Sequence, residues 1–304
     1  MGRVTGRSLL PSPTLRFDVV DVFTDTAFSG NPLAVVHGAQ VLSTAQLQSL
    51  AREFHLSETA FPVPPTEQES ARGVHYRLRI FTPSTELPFA GHPSVGTAWL
   101  LAGQGTVVPG RVVQACGAGD LPLQVTPDGG PVTLTGGPAQ VGEALDRDEA
   151  AAWLGLARED LLDIPPGIAG TGLAFGYVYV KGEALGRARL VGGNGLGVDQ
   201  VYVVAWPPPG EADDVRARMF ATDIGVPEDP ATGSAALGLA VHALSVGLLM
   251  GEGTSRFVVR QGVEMGRPST LVVEVDAQGG QTIAARVSGN VVAISSGEVA
   301  IPSA

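Results

Sequence analysis

The sequence predicts an α+β protein of two pseudo-symmetric halves, each a curved, mostly antiparallel sheet or barrel wrapped round a central helix. Three observations carry that expectation. One motif occurs twice at a fixed offset, each copy opens a segment that is apolar on every side, and short β-branched runs fill much of the remaining chain. The length of 304 residues suits two units of about 150.

The first copy of the motif reads Arg79-Ile80-Phe81, then Glu86, Pro88, Gly91, Val95, Gly96 and Ala98. The second reads Arg218-Met219-Phe220, then Glu228, Pro230, Gly233, Leu237, Gly238 and Ala240. From Glu86 and Glu228 onward the offset is a constant 142 residues. Each copy holds a strand, a turn with Pro and Gly, and a helix. In the first, Val74, Tyr76, Leu78 and Ile80 alternate with His75, Arg77 and Arg79, the period of a half-buried strand. The helices that follow are apolar all round, which in water means enclosed by other structure. Small residues at Gly96, Ala98, Gly238 and Ala240 let the enclosing strands approach.

The flanking elements fit the same plan. Ser43 and Gln46 form a capping-box pair before a helix with Leu47, Leu50, Ala51 and Phe54 on its apolar face, and Asp146 with Glu149 does likewise before Ala152, Trp153 and Leu156. Strands are expected at Phe17–Val22, Val107–Val113, Val201–Ala205, Phe257–Val259, Leu271–Val275 and Val291–Ile294. Residues 1–14 read as a loose extension, 15–127 as the N-terminal half and 128–287 as the C-terminal half, with 288–304 packing back on the first.

Composition removes several chemistries. The formal charge of −11 and the lack of long basic runs argue against nucleic acid or an anionic membrane surface as partner. Leu87–Gly110 and Pro230–Gly251 are uncharged and long enough to span a bilayer. Pro88, Pro93 and Gln104 in one, and Ser234, His242 and Ser245 in the other, mark them instead as buried helices of a soluble protein. No signal peptide opens the chain, so a cytoplasmic location is expected. The sole lysine, Lys181, is followed by Gly182 and cannot complete a Walker A loop; after Phe175, Tyr177 and Tyr179 it reads as a strand end rather than a Schiff-base residue. The sole cysteine, Cys116, excludes a disulfide framework, a thiolate metal cluster within one chain and a two-thiol racemase.

The repeated turns point to a site. Each opens a buried helix with Gly and small polar residues, whose unpaired N–H groups favour an anion by about 0.3–1 kcal/mol per helix end. If the halves face each other, both helix starts address one cleft and hold a small carboxylate from two sides.

Phe23, Phe28-Ser29-Gly30-Asn31-Pro32 with Ala34-Val35-Val36, Ser57-Glu58-Thr59-Ala60-Phe61, Arg79–Pro83, Glu86–Pro93 with Gly96, and Glu228–Ala235 together resemble the PhzF family of phenazine-biosynthesis isomerases. The motifs come in the family's order from residue 17 to about 245; residues 110–215 match loosely, and Ser94 and Val95 stand where Thr and Leu are common. The resemblance implies the diaminopimelate-epimerase-like fold, a homodimer, and a site between the halves. Glu58 matches the family's acid and base. Without the family it is a loop glutamate whose plain reading is a solvated side chain. His92, at a repeated helix start, and Asp229 and Ser234 are implied in positioning and proton transfer; Asp229 alone also reads as a helix cap. His37, His55, His75 and His242 read as structural. Gly91, Gly233, Ser234 and Ala235 are the implied substrate-binding positions.

The implied reaction is a proton shift on a small, cyclic, unsaturated carboxylate such as trans-2,3-dihydro-3-hydroxyanthranilate, where a ring proton moves from C3 to C1. No metal or organic cofactor is called for: H-E-x-x-H, G-x-G-x-x-G and G-x-S-x-G are absent from the sequence. Two other readings compete: a binding or interaction protein that keeps the fold without turnover, and a one-base enzyme acting on an amino-acid-like ligand. A binding module has no need of the acid, which favours the isomerase.

Overall fold

The computed structural model describes residues 13–191, 197–208, 214–221 and 226–303. The loose extension expected over 1–14 lies outside the described residues up to residue 12, and Thr14 already opens the first strand. The first half uses β1 (Thr14–Val22), β2 (Asn31–Val36), β3 (Glu58–Val63), β4 (Tyr76–Phe81), β5 (Glu86–Leu87), β6 (Gly110–Cys116), β7 (Gly119–Val125) and β8 (Val132–Thr135). The second uses β9 (Gln140–Ala144), β10 (Gly167–Gly170), β11 (Ala174–Tyr179), β12 (Val201–Ala205), β13 (Val215–Ala221), β14 (Val226–Asp229), β15 (Gly253–Gln261), β16 (Ser269–Gln278) and β17 (Gln281–Gly289). The last strand, β18 (Val291–Ala300), returns to pair with β1.

The repeat is written into the pairing. In the first half β18, β1, β2, β3, β4, β6, β7 and β8 lie side by side, with β2/β3 and β4/β6 parallel and the other pairs antiparallel. In the second, β9, β10, β11, β12, β13, β15, β16 and β17 follow the same sequence of senses, with β11/β12 and β13/β15 parallel. Pairing of β8 with β17 makes the two curls one sheet.

Each curl encloses one apolar helix, Gly91–Gly103 in the first and Gly233–Ser245 in the second. The expected close approaches are present. A Cβ added at Gly96 would lie 2.7 Å from Val22 and 2.8 Å from Leu33, and one at Gly238 would collide with the Tyr177 hydroxyl. One continuous apolar core runs through both curls. Outside it, the helix Thr44–Phe54 covers the first half with Leu47, Leu50 and Ala51, capped reciprocally by Ser43 and Gln46, while Phe54 meets Phe17 edge-on at 5.1 Å.

Two local readings shift. Asp146 does cap a helix, Arg147–Trp153, through the Asp148 and Glu149 amides, but that helix ends before Leu156, which was expected on its apolar face. By position, the counterpart of Thr44–Phe54 is the short helix Gly182–Leu185 between β11 and β12. The strand expected from Val107 begins only at Gly110, because the Val107 N–H bonds back to Leu101 at the end of the central helix and Pro109 has no N–H to offer a ladder.

Candidate active site

The two central helices meet end to end. A Cβ built on Gly91 would lie 3.0 Å from the Ser234 amide nitrogen and 3.3 Å from the Gly233 Cα, so the two helix starts touch, and a side chain there would press on backbone. Phe23 braces this junction: its backbone is left-handed, at φ +63°, and its buried ring lies 3.0 Å from where a Gly233 Cβ would sit. Sequence periodicity cannot bring residues of the two halves together in this way; the shared core does.

Glu58, His92 and Asp229 converge here from three elements. Glu58 is the first residue of β3, His92 lies in the first turn of one central helix, and Asp229 ends β14 ahead of the other. All three are buried, at 8%, 3% and 8% exposure. Glu58 Oε2 lies 3.5 Å from His92 Nδ1. Ser234 lines the same crevice with Glu58 and Asp229. Ala235 does not: it is fully buried, and its carbonyl accepts from the Tyr177 hydroxyl at 2.9 Å.

Burial sets the protonation states. It raises the Glu58 carboxyl well above the ordinary glutamate range, and the nearby Asp229 charge raises it further. Burial also lifts Asp229, to about 6, against the opposing pull of hydrogen bonds from Thr232, Asn31 and Ser57. Burial alone pushes His92 down to about 3, so its imidazole is neutral. Asn31 donates its amide to Asp229 Oδ1 at 2.8 Å and the Ala231 carbonyl at 3.0 Å, and faces His92 Nδ1 at 3.2 Å.

Glu58 Oε2, His92 Nε2 and Asn31 Oδ1 are buried without hydrogen-bond partners. A stranded buried polar atom costs about 1–3 kcal/mol. Of the three residues, Glu58 lines the crevice, where a polar ligand would complete its bonding. The crevice, with its mouth, encloses about 530 Å³ of space outside atoms. Its far wall is apolar, built by Leu87, Phe89, Leu173, Met219 and Ala221, with Gln200 as a polar exception; no Lys or Arg lines it among the described residues. Nor, among the described residues, are three or more His, Cys, Asp or Glu side chains grouped to hold a metal ion.

Sequence reasoning missed the hub. Asn31 was visible only as part of a motif, although a fully buried Asn among apolar strand residues signals a bonded polar centre. Thr232 was likewise visible only within the motif Glu228–Ala235, and Gln261 gave no signal. The repeated Arg and Glu also carry a meaning that spacing hid. Arg79 grips Glu86 at 2.8 and 2.7 Å, and Arg218 grips Glu228 at 2.8 and 2.9 Å, each guanidinium also lying over a phenylalanine, Phe81 or Phe220. These twin clasps tie β4 to β5 and β13 to β14, holding the turns that deliver each helix start. The four remaining histidines are structural in place: His37 binds Asp18, His55 ends a helix, His75 accepts from the Val113 amide, and His242 bonds the Tyr179 hydroxyl between two tyrosine rings.

Comparison with known proteins agrees with this architecture. The phenazine biosynthesis-like protein family, PhzC-PhzF, matches residues 20–297. An uncharacterised isomerase of Mesorhizobium japonicum is 34% identical over 95% of this chain and 99% of its own length. The trans-2,3-dihydro-3-hydroxyanthranilate isomerase of Pseudomonas aeruginosa is 32% identical over 93% of this chain and 98% of its own. Among solved structures, a Bacillus anthracis phenazine biosynthesis protein of the PhzF family superposes with a TM-score of 0.81 at 24% identity, covering 95% of this chain and all of that one. The fold is the epimerase-like one expected. With its doubled curl, its paired helix starts and matches along nearly its whole length, this chain belongs to the PhzF family of isomerases.

Proposed function

We propose that this isomerase moves a proton between carbons of a small, unsaturated, cyclic carboxylate, with Glu58 as the single acid and base and no cofactor. The observation that carries the reading is the buried Glu58 carboxyl, with one oxygen unpartnered, in the wall of a crevice it shares with Asp229 and Ser234. With no Lys or Arg lining the crevice among the described residues, the substrate carboxylate is held by the opening amides of the helices and the Ser234 hydroxyl. The apolar wall receives the ring. The bond from a ring carbon to its proton breaks as the ionised Glu58 takes the proton. The electron pair shifts through the adjacent double bond, and Glu58 returns the proton to the far carbon. Where that carbon skeleton bears a hydroxyl on the new double bond, the enol then relaxes to a ketone.

A glutamate that both takes and gives a proton needs both forms populated near working pH, and burial beside Asp229 shifts Glu58 in that direction. The relative that acts on trans-2,3-dihydro-3-hydroxyanthranilate supports that compound as the first substrate to test. Turnover is followed by ultraviolet absorbance and by NMR in D₂O. Glu58→Gln is expected to lower the rate by about 10²–10⁴; unaltered turnover in that variant removes Glu58 from the chemistry. Conversion of amino acids but of no unsaturated carboxylate would favour a racemase-like reading instead.

A further inference from the structure

Around Asp229 the directions of the hydrogen bonds from Asn31 and Thr232 are traced to groups that can only donate or only accept; Ser57 bonds the same carboxyl group. Gln261, fully buried on β15, has its amide nitrogen 2.7 Å from the Asp229 carbonyl oxygen and its amide oxygen 3.1 Å from the Thr232 N–H. The carbonyl accepts only and the N–H donates only, which fixes the amide's orientation. The Tyr202 hydroxyl, 2.8 Å from Gln261 Oε1, therefore donates to it. The second Gln261 N–H reaches Thr232 Oγ1 at 3.1 Å. Thr232 must then send its own proton elsewhere, and Asp229 Oδ2 lies 2.5 Å away. On the other side Asn31 donates to Asp229 Oδ1. Both carboxylate oxygens are acceptors.

The first half has a similar line with a different end. Tyr76 donates to Gln114, Gln114 to Ser94, and Ser94 to the Ala90 carbonyl, each at 2.9 Å. There the donors run out on a neutral backbone group just before the helix. In the second half they run out on a carboxyl group that faces Glu58.

We propose that Thr232, oriented by Gln261 and Tyr202, is a positioning residue that makes Asp229 the first of the two carboxyl groups to ionise, so that Glu58, once it too has lost its proton, is the stronger base. Two buried carboxyl groups this close do not both ionise readily, so donors aimed at one decide which one does. A Glu58 beside an ionised Asp229 binds a proton more strongly, as lifting one from carbon requires. The other titratable groups facing the pair do not compete. His92 is held neutral by burial, Tyr202 is held un-ionised on β12, and Glu228 is engaged by Arg218.

The inference takes its purpose from the proposed reaction, but its test does not. Carboxyl carbons of Asp and Glu are labelled with ¹³C in the full-length protein without substrate, and their NMR shifts are followed with pH. The Asp229 and Glu58 signals are identified by their loss in Asp229→Asn and Glu58→Gln. Asp229 is expected to titrate below Glu58. Thr232→Val raises the Asp229 midpoint by about one pH unit, the worth of one hydrogen bond to a charged group; Thr232→Ser restores it. Tyr202→Phe, which leaves Thr232 in place, gives a smaller rise and decides the matter if Thr232→Val does not fold. An Asp229 midpoint unmoved by these changes, or lying above that of Glu58 in the wild type, overturns the assignment. A protein that titrates as expected but isomerises nothing would count against the reaction and not against the charge placement.

Discussion

The two mid-helix glycines at equivalent positions of the repeat should respond unequally to a methyl group, and the structure says by how much. Gly→Ala inside a helix gains up to about 1 kcal/mol from backbone propensity. At Gly96 the new methyl meets side-chain ends, Val22 and Leu33, at 2.7 and 2.8 Å. Overpacking of that kind costs about 1–3 kcal/mol, so Gly96→Ala should be destabilised by about 0–2 kcal/mol. At Gly238 the methyl takes the place of the Tyr177 hydroxyl and lies 3.1 Å from the Gly170 Cα, which is backbone and cannot turn aside. The bond from Tyr177 to the Ala235 carbonyl is lost, and the stranded buried groups add about 1–3 kcal/mol. Gly238→Ala should therefore be less stable than Gly96→Ala by about 2 kcal/mol. Urea unfolding of the two variants measures the difference. Adding Tyr177→Phe to Gly238→Ala removes the colliding hydroxyl and should recover at least about 1 kcal/mol in a double-mutant cycle. Equal stabilities of the two alanine variants, or a cycle that closes to zero, would refute the account of why the second helix carries a glycine.

The twin clasps should also differ: Arg218→Met leaves Glu228 unpaired and abandons the Leu185 and Ala188 carbonyls, costing about 3 kcal/mol in a thermal or urea melt. Arg79→Met, at a clasp more open to solvent, should cost about 1 kcal/mol or less. Because burial lifts Asp229 from the ordinary 3.8 to about 6 in the folded protein, the unfolded chain releases this proton first, and stability is lost as pH rises from about 4 to 6. Asp229→Asn should gain stability over the wild type across that window, and no relative gain between pH 4 and 6 would show that the buried acid is not held protonated. The same variant removes the repulsion on Glu58, so the acidic limb of its pH–rate profile should move to lower pH than in the wild type, whatever the residual rate.

Much of the architecture was legible because it is repeated and because enclosed helices announce themselves by lacking a polar face. The motif Arg-x-Phe…Glu-x-Pro-x-x-Gly predicted two strand–turn–helix units, and the pairing senses of the two curls match strand for strand. Glu58, His92, Asp229 and Ser234 were named from motif resemblance; three-dimensional closure brings Glu58, Asp229 and Ser234 to one crevice and sets His92 beside Glu58. Residues whose importance comes from a partner far away in the chain escaped. Asn31 reaches Asp229 across 198 positions, and Gln261 reaches Thr232 across 29. Neither separation leaves a periodic trace.

Local sequence thus determined the most strongly patterned strands, which helices are enclosed, and where glycine opens a helix, since those depend on nearest neighbours, burial patterning and backbone freedom. Tertiary structure alone decided that Gly91 abuts Gly233, that one glutamate is buried beside an aspartate, and that a line of hydroxyl and amide donors ends on that aspartate. Those facts arise from two curled sheets sharing one core, and the protonation of a carboxyl group depends on what surrounds it in space rather than along the chain.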